Sequence, residues 1–148
     1  MAKFAFRLQP ILGLKEKIED LKRNEFGKAV VQLAAERQKK AEMEQLKSDT
    51  ITGFRTSITQ DINPNDIRQH NVFIDRLKQM IERQVQVIIR AEAYVEEKRV
   101  ELIEAMREKK MLETLKEHRF EEYLEEEKRA EGKMVDELVS YKGSRPRG

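Results

Sequence analysis

The chain has 148 residues, of which 39% are charged and 6% are aromatic, and it contains neither tryptophan nor cysteine. A globular core of this length needs more bulky apolar side chains, and the lack of cysteine excludes disulfides, thiol catalysis and thiolate metal sites. The 30 basic and 28 acidic residues are interleaved, which is typical of the solvated flanks of a coiled coil and not of a nucleic-acid-binding face.

The sequence also argues against membrane insertion. No apolar run approaches the ~20 residues that a membrane-spanning helix needs. The first 13 residues do not have the pattern of a secretory signal, because Lys3, Arg7 and Gln9 interrupt the stretch that would have to be apolar. We therefore expect no membrane-spanning segment, and the lack of cysteine is compatible with a cytoplasmic location.

A first helix is predicted over residues 9–61. Pro10 suits a first helical turn, where its missing N–H is not needed. Gly27 and Gly53 each cost only about 1 kcal/mol relative to alanine, so the helix is expected to run through both. Its apolar stripe slips by one residue at Phe26 and is interrupted by polar residues near Arg37 and Lys40. The members of the stripe are Ile11, Leu14, Ile18, Leu21, Phe26, Val30, Leu33, Met43, Leu46, Ile51, Phe54 and Ile58.

A turn is predicted at residues 62–66. Asn63 suits the N-cap of a second helix because the residue before a proline is pushed out of the α region, and Pro64 suits the first helical position. Asp66 favours the positive end of the helix dipole. A connection this short predicts that the two helices are antiparallel neighbours.

The second helix is predicted over residues 64–139. Its apolar residues follow a seven-residue repeat, so they form one stripe that must be buried against another helix. We call this buried stripe the seam. It contains Ile74, Leu77, Ile81, Ile88, Val95, Leu102 and Leu112. Gln84, Lys98 and Lys109 interrupt it. Such residues either restrict the register of pairing or mark segments that open to exchange partners. Gly132 is a candidate end or kink, and residues 142–148 are expected to form a disordered basic tail.

These elements predict an all-α fold, a long antiparallel two-helix coiled-coil hairpin over residues 1–141. At about 1.5 Å per residue the first helix would reach about 75 Å and the second about 110 Å. The carboxyl-terminal part of the second helix would then lack a hairpin partner, with Met134, Leu138 and Tyr141 as its last apolar face.

A second stripe on the second helix is more apolar than a two-helix coiled coil requires. Its members recur every seven residues, next to the seam; they are Phe73, Met80, Val87 and Tyr94. The stripe either thickens the seam or serves another partner. A parallel stripe of Arg76, Arg83 and Arg90 is either a solvated face or a surface for an acidic partner.

No pattern in the sequence is typical of an enzyme. His70 and His118 are isolated, whereas a zinc site would place ligands at helical spacing. Phosphate-binding glycine loops and a nucleophile with a neighbouring base are missing. We expect a non-enzymatic protein without cofactor or metal.

Both ends of the sequence resemble the flagellar FliJ family, the coiled-coil component of the bacterial flagellar type III export apparatus. The segment Phe4-Ala5-Phe6-Arg7-Leu8-Gln9-Pro10-Ile11-Leu12 is similar to the family's opening, and Leu112-Glu113-Thr114-Leu115-Lys116-Glu117 resembles its Leu-Glu-x-Leu-Lys-Glu segment. Thr114 departs from the lysine often found there.

The resemblance implies a monomeric stalk that binds the hexameric export ATPase FliI and promotes the assembly and activity of that ATPase. It also implies that the stalk couples the ATPase to the gate protein FlhA at the membrane and handles export chaperones. It implies ATPase-facing ends at Phe6, Leu8, Ile11, Leu112, Leu115 and Lys116. It implies a gate-facing patch of Phe54, Phe73, Leu77, Met80 and Gln84. A structural coiled-coil dimer, a nucleic-acid binder and the stalk of a virulence-type secretion system are the alternatives.

Overall fold

A computed structural model describes residues 3–58 and 63–144, and these form two α-helices without a strand. Helix α1 spans Gln9–Ser57 and helix α2 spans Pro64–Ser144. The all-α hairpin class with a longer second helix is therefore confirmed.

Helix α1 begins at the predicted residue and ends earlier than predicted. The Gln9 N–H donates to the Phe6 carbonyl at 3.1 Å, and the Leu12 N–H donates to the Leu8 carbonyl at 2.9 Å. At the other end, the Thr56 hydroxyl donates to the Thr52 carbonyl and the Ser57 hydroxyl to the Phe54 carbonyl, at 2.9 and 2.8 Å. Helix α1 ends at Ser57, before the predicted residue 61. Residues 59–61 lie outside the described residues.

Helix α2 begins as the Asn63-Pro64 pair predicts. The Asn63 side-chain oxygen accepts from the Asn65 N–H at 3.0 Å, and its carbonyl accepts from the Asp66 N–H at 3.0 Å. These bonds satisfy donors that the first turn leaves unpaired.

Helix α2 is longer than predicted at its carboxyl-terminal end. It passes through Gly132 and continues to Ser144, so Val139 was too early an end and residues 142–144 are helical. A single glycine costs too little to break a helix, and the next strong breaker in the sequence is Pro146, which restricts the residue before it. Residues 145–148 of the expected basic tail lie outside the described residues.

The chain divides into two packed units, each with a part of both helices. Unit 1 comprises Met1–Asp20 and Glu104–Gly148, and unit 2 comprises Leu21–Ile103.

The pairing in each unit shows that the helices are antiparallel. In unit 2, partner numbers rise along α2 as they fall along α1: the ring of Phe54 stacks on His70, Glu36 accepts from Gln84, and Lys22 pairs with Glu101. In unit 1, the same order relates Lys109 with Glu19 and Phe120 with Phe4.

The seam of α2 is confirmed in position. Ile74, Leu77, Gln84, Ile88 and Ala105 are buried, and half-buried residues continue the three-four spacing between and beyond them: Ile81, Ala91, Val95, Lys98, Leu102, Lys109, Leu112 and Lys116. The apolar repeat and its polar interruptions therefore face α1.

The predicted stripe of α1 is wrong in its first turns. The buried and half-buried side chains there are Leu12, Lys15, Ile18, Glu19 and Lys22, whereas Ile11, Leu14 and Leu21 are exposed. Further along α1, Val30 and Leu46 of the predicted stripe are also exposed. The seam thus lies one residue away from the apolar stripe. The reason is charge, because this register pairs Lys15 and Glu19 with α2 partners, as described next.

Candidate partner-binding surfaces

A polar pair lies inside the apolar seam of unit 2. The Gln84 side-chain amide donates to the Glu36 carboxylate at 2.5 Å and to the Glu36 backbone carbonyl at 2.9 Å. Both residues are buried. The hydrogen bond from Gln84 is the main reason that the pKa of Glu36 lies below its usual range, and Gln32 and Lys39 also donate to it. The pair favours this register because a slip of the helices would break the bond between Gln84 and Glu36 and leave the buried Gln84 amide without it.

A ring of alternating charge surrounds the next interruption of the same seam. Lys98 lies 3.4 Å from Glu25 and 3.2 Å from Glu101, and Lys22 lies 3.3 Å from Glu101 and 3.6 Å from Glu25. The hydrogen bond to Glu101 contributes most to the raised pKa of Lys98, and the pKa of Glu101 is lowered by Lys98 and then Lys22. Both helices contribute one lysine and one glutamate, so the ring is neutral only in this register.

Unit 1 has the third interruption, and it is also paired. The Lys109 ammonium lies 2.7 Å from the Glu19 carboxylate, and Lys15 lies 2.7 Å from Glu108. Bonding to Glu19 is the leading cause of the raised pKa of Lys109. All three polar interruptions of the α2 seam therefore meet a carboxylate of α1, which favours their role in restricting the register over a role in opening.

The residues of the implied gate-facing patch do not share one surface. Leu77 and Gln84 are 3% and 8% exposed and belong to the seam. Phe54 is half-buried and stacks on His70 with ring centroids 3.9 Å apart. Phe73 and Met80 are 43% and 45% exposed. The surface part of the patch is therefore Phe73 and Met80.

The rest of the surplus stripe extends this surface along α2. Val87 is half-buried and Tyr94 is exposed, with the Lys98 ammonium 5.2 Å from the Tyr94 ring centroid. The stripe is thus mostly at the surface and contributes little to the seam. A groove of about 460 Å³ at its amino-terminal end is lined by Arg68, Gln69, Val72, Phe73 and Arg76.

The implied ATPase-facing residues all lie in unit 1. Ile11 is exposed, whereas the others are half-buried: Phe6, Leu8, Leu112, Leu115 and Lys116. A groove of about 520 Å³ in this unit is lined by Phe4, Ala5, Phe6, Arg7, Leu8, Leu115 and Arg119. The structure therefore brings the segment before α1 against α2.

An aromatic cluster that the sequence reasoning missed closes this contact. The Phe4 ring lies 5.2 Å from Phe120 in an edge-to-face arrangement and 5.6 Å from Tyr123. Burial is the main cause of the raised pKa of Tyr123, with a smaller effect from Glu127. The sequence feature that could have revealed the cluster is the pair of aromatic residues, Phe120 and Tyr123, three apart on α2 in a region where the seam repeat fades.

Two apolar surfaces of unit 1 are exposed. On α1, Ile11 and Leu14 project beside the polar seam. On α2, every described residue from Lys128 to Gly143 is exposed, and this segment includes Met134, Val135, Leu138, Val139 and Tyr141. The carboxyl-terminal part of α2 thus has no hairpin partner among the described residues.

The comparisons with known proteins identify the family. The sequence profile described as "Flagellar FliJ protein" matches residues 4–148. The chain belongs to the FliJ family. No curated protein matches the sequence. A solved structure described as a proposed YscO homologue from Chlamydia trachomatis is 20% identical, with a TM-score of 0.48 over 97% of this chain and 100% of its own. That likeness is too slight to carry an argument.

FliJ proteins are non-enzymatic, and this member is a coiled-coil protein associated with type III export that interacts with components of the export apparatus. Within residues 3–58 and 63–144, neither helix has a segment apolar enough over a sufficient length to cross a bilayer. The same residues contain no group of three or more potential metal ligands.

Proposed function

We propose that this FliJ protein binds the export ATPase FliI with unit 1 and promotes both the assembly of the FliI ring and its hydrolysis of ATP. It binds the gate protein FlhA with Phe73 and Met80, and it also handles export chaperones. The observation that carries the proposal is the match to the FliJ family over residues 4–148. It is supported by the exposure of Phe73 and Met80, which a two-helix seam does not require.

Binding to the gate protein is tested by replacing the exposed pair. Phe73→Ala combined with Met80→Ala should weaken binding to the FlhA cytoplasmic domain by about tenfold or more, because exposed aromatic and methionine side chains carry much of the energy of a protein interface. Isothermal titration calorimetry measures the change, and circular dichroism should show unchanged helicity.

Val100→Ala is the matched control, because Val100 is also an exposed apolar residue of α2 in unit 2. It should leave binding unchanged. Equal affinities for wild type and the Phe73/Met80 double variant would contradict the gate-binding role. Lost helicity in the double variant would instead assign the stripe to the seam.

Action on the ATPase is tested with the purified chain and its cognate FliI. Wild type should increase ATP hydrolysis and co-sediment with the assembled ring. Ile11→Ala combined with Leu14→Ala should reduce both effects, because these side chains are 45% and 55% exposed in unit 1. Val31→Ala, at an exposed site of unit 2, is the control. Unchanged turnover and no co-assembly with wild type would contradict the proposal.

Chaperone handling is supported by family membership alone. Size-exclusion chromatography of the chain with individual export chaperones should yield a complex with at least one of them. If none of the cognate chaperones co-elutes at micromolar concentration, this part of the proposal is wrong.

A further inference from the structure

We propose that the exposed apolar stripe and the arginine stripe of α2 form one docking face, and that its partner is an acidic amphipathic protein surface with carboxylates beside an apolar centre. This inference rests on the proposed function, because it specifies the chemistry of the partner bound at Phe73 and Met80. Apart from the half-buried Val87, the residues of the apolar stripe and the three arginines are exposed, so both stripes are available together.

The two stripes are neighbours on the helix surface. Arg76, Arg83 and Arg90 each follow, by three residues, a member of the apolar stripe: Phe73, Met80 and Val87. Residues three apart on a helix are neighbours, so each arginine lies beside an apolar side chain. Near the start of the face, Arg68 and Arg76 line the same groove as Val72 and Phe73.

The arginines of this face have no acidic partner among the described residues, unlike Arg37, Arg99 and Arg119. Among residues 3–58 and 63–144, no carboxylate lies within 4.0 Å of the guanidinium nitrogens of Arg76, Arg83 or Arg90. In contrast, Arg37, Arg99 and Arg119 pair with Glu92, Glu96 and Glu122.

This difference predicts the charge of the partner. In a chain with 28 acidic residues, three guanidinium groups without a carboxylate partner, repeated every seven residues on one helix, form a local positive edge. An acidic surface complements that edge and would be attracted during encounter, so binding should weaken as salt rises.

The face also has a defined end. The position that continues the arginine stripe is Glu97, and the Tyr94 ring is already contacted by the Lys98 ammonium. The docking face therefore extends from Arg68 to Arg90. Over about 22 residues at 1.5 Å each, it is about 33 Å long, which suits an amphipathic helix of three heptads.

The first test uses a designed probe that does not depend on the identity of the natural partner. The probe is a three-heptad helical peptide with leucine and phenylalanine on one face and glutamate on both flanks. The matched peptide has glutamine in place of every glutamate. Fluorescence anisotropy with the full-length protein should show at least about fivefold tighter binding of the acidic peptide at low salt, and a smaller difference at high salt.

Variants locate the binding on the protein. Arg76→Gln combined with Arg83→Gln should remove most of the preference for the acidic peptide. Arg99→Gln combined with Arg119→Gln is the control, because it removes the same charge from α2 at arginines that already have carboxylate partners. Equal binding of the two peptides, or equal loss in both double variants, would overturn the inference. Tighter binding of a single-stranded DNA oligonucleotide, lost in the Arg76/Arg83 variant, would also overturn it.

The second test separates this inference from the proposed function. If wild type binds the acidic peptide as expected but not the FlhA cytoplasmic domain, the inference stands and the gate-binding role fails. If FlhA binding depends on Phe73 and Met80 but not on Arg76, Arg83 or salt, the gate-binding role stands and the inference fails.

Discussion

The two packed units hold their helices together with different chemistry. In unit 2, large apolar side chains such as Leu33, Ile74, Leu77 and Ile88 are buried along the seam, and the polar exceptions are Gln84 with Glu36 and the ring around Lys98. In unit 1, the buried apolar residues are Leu12 and Ala105, and the helices are also joined by ion pairs and by the aromatic cluster of Phe4, Phe120 and Tyr123. We infer that unit 2 owes its stability mainly to apolar burial, while unit 1 depends more on charge complementarity.

One heptad position of α2 shows what this difference means for function. In unit 2 the position beside the seam holds Phe73 and Met80, which are exposed. Further along it holds Glu101 in unit 2 and Glu108 in unit 1, which pair with Lys22 and Lys15 of α1. The same position is thus exposed where the seam is apolar, and it pairs with α1 where the neighbouring seam residues are charged.

The largest effect is expected for large-to-small changes in the seam of unit 2. Leu77→Ala should destabilise the protein by about 2–5 kcal/mol, because it leaves a cavity among packed apolar side chains. Leu12→Ala should cost less, although both leucines are 3% exposed, because the neighbouring seam positions of unit 1 are charged and admit water. Chemical denaturation followed by circular dichroism measures both.

Phe73→Ala is the control for that comparison, since Phe73 is four residues from Leu77 and exposed. It should cost less than about 1 kcal/mol. A Leu12→Ala cost as large as that of Leu77→Ala would contradict the contrast between the units.

A smaller effect, with a change of specificity, is expected at the polar pair of unit 2. Gln84→Leu should lower the melting temperature, because it removes the main donor to the buried Glu36 carboxylate. Glu36→Leu combined with Gln84→Leu should recover the loss, since two apolar groups leave no unpaired charge.

The double variant should also lose specificity of pairing. With an uninterrupted apolar seam it should form dimers at concentrations at which wild type sediments as a 17.5 kDa monomer. If it stays monomeric with a single sharp unfolding transition, the pair is not needed to specify the hairpin.

The seam of α2 was predictable because its spacing and its apolar composition agree. Ile74, Leu77 and Ile88 lie at the three-four spacing of a coiled-coil seam, and all three are buried. The bend was predictable for a similar reason, because Asn63 and Pro64 satisfy the capping rules locally.

The first turns of α1 were not predictable in this way, because several apolar residues there are exposed while charged residues occupy seam positions. Ile11, Leu14 and Leu21 are exposed, while Lys15 and Glu19 pair with residues of α2. Only knowledge of the opposing residues, Glu108 and Lys109, decides that register. Leu77 and Gln84 of the implied gate-facing patch are buried for a related reason, because a residue's place in a stripe does not tell whether its side chain is already covered.

A modest pH dependence is expected from Glu36. Its pKa in the folded protein lies below the ordinary value of 4.5, with the Gln84 hydrogen bond as the main cause. Since the unfolded chain then binds a proton more readily, the stabilisation is present above pH 4.5 and is lost as the pH falls through the lower, folded pKa.

Glu36→Gln should flatten the fall in melting temperature on acidification, measured by calorimetry from neutral pH downward. Glu97→Gln, at an exposed site of α2, should leave the slope as in wild type. A wild-type slope in the Glu36 variant would show that other carboxylates govern acid unfolding.

The smallest effect, and the finest test of the two units, is expected from glycines inside α1. A Cβ added at Gly13 in unit 1 or Gly27 in unit 2 would meet no atom within 4 Å. Alanine at either site should therefore stabilise the helix by about 0.5–1 kcal/mol. If the ionic seam of unit 1 opens locally before unit 2 unfolds, Gly27→Ala should raise the global unfolding free energy in full. Gly13→Ala should then mainly increase the protection of amides within unit 1 against hydrogen exchange. If both variants instead raise the free energy of global unfolding equally, the seams of the two units open together.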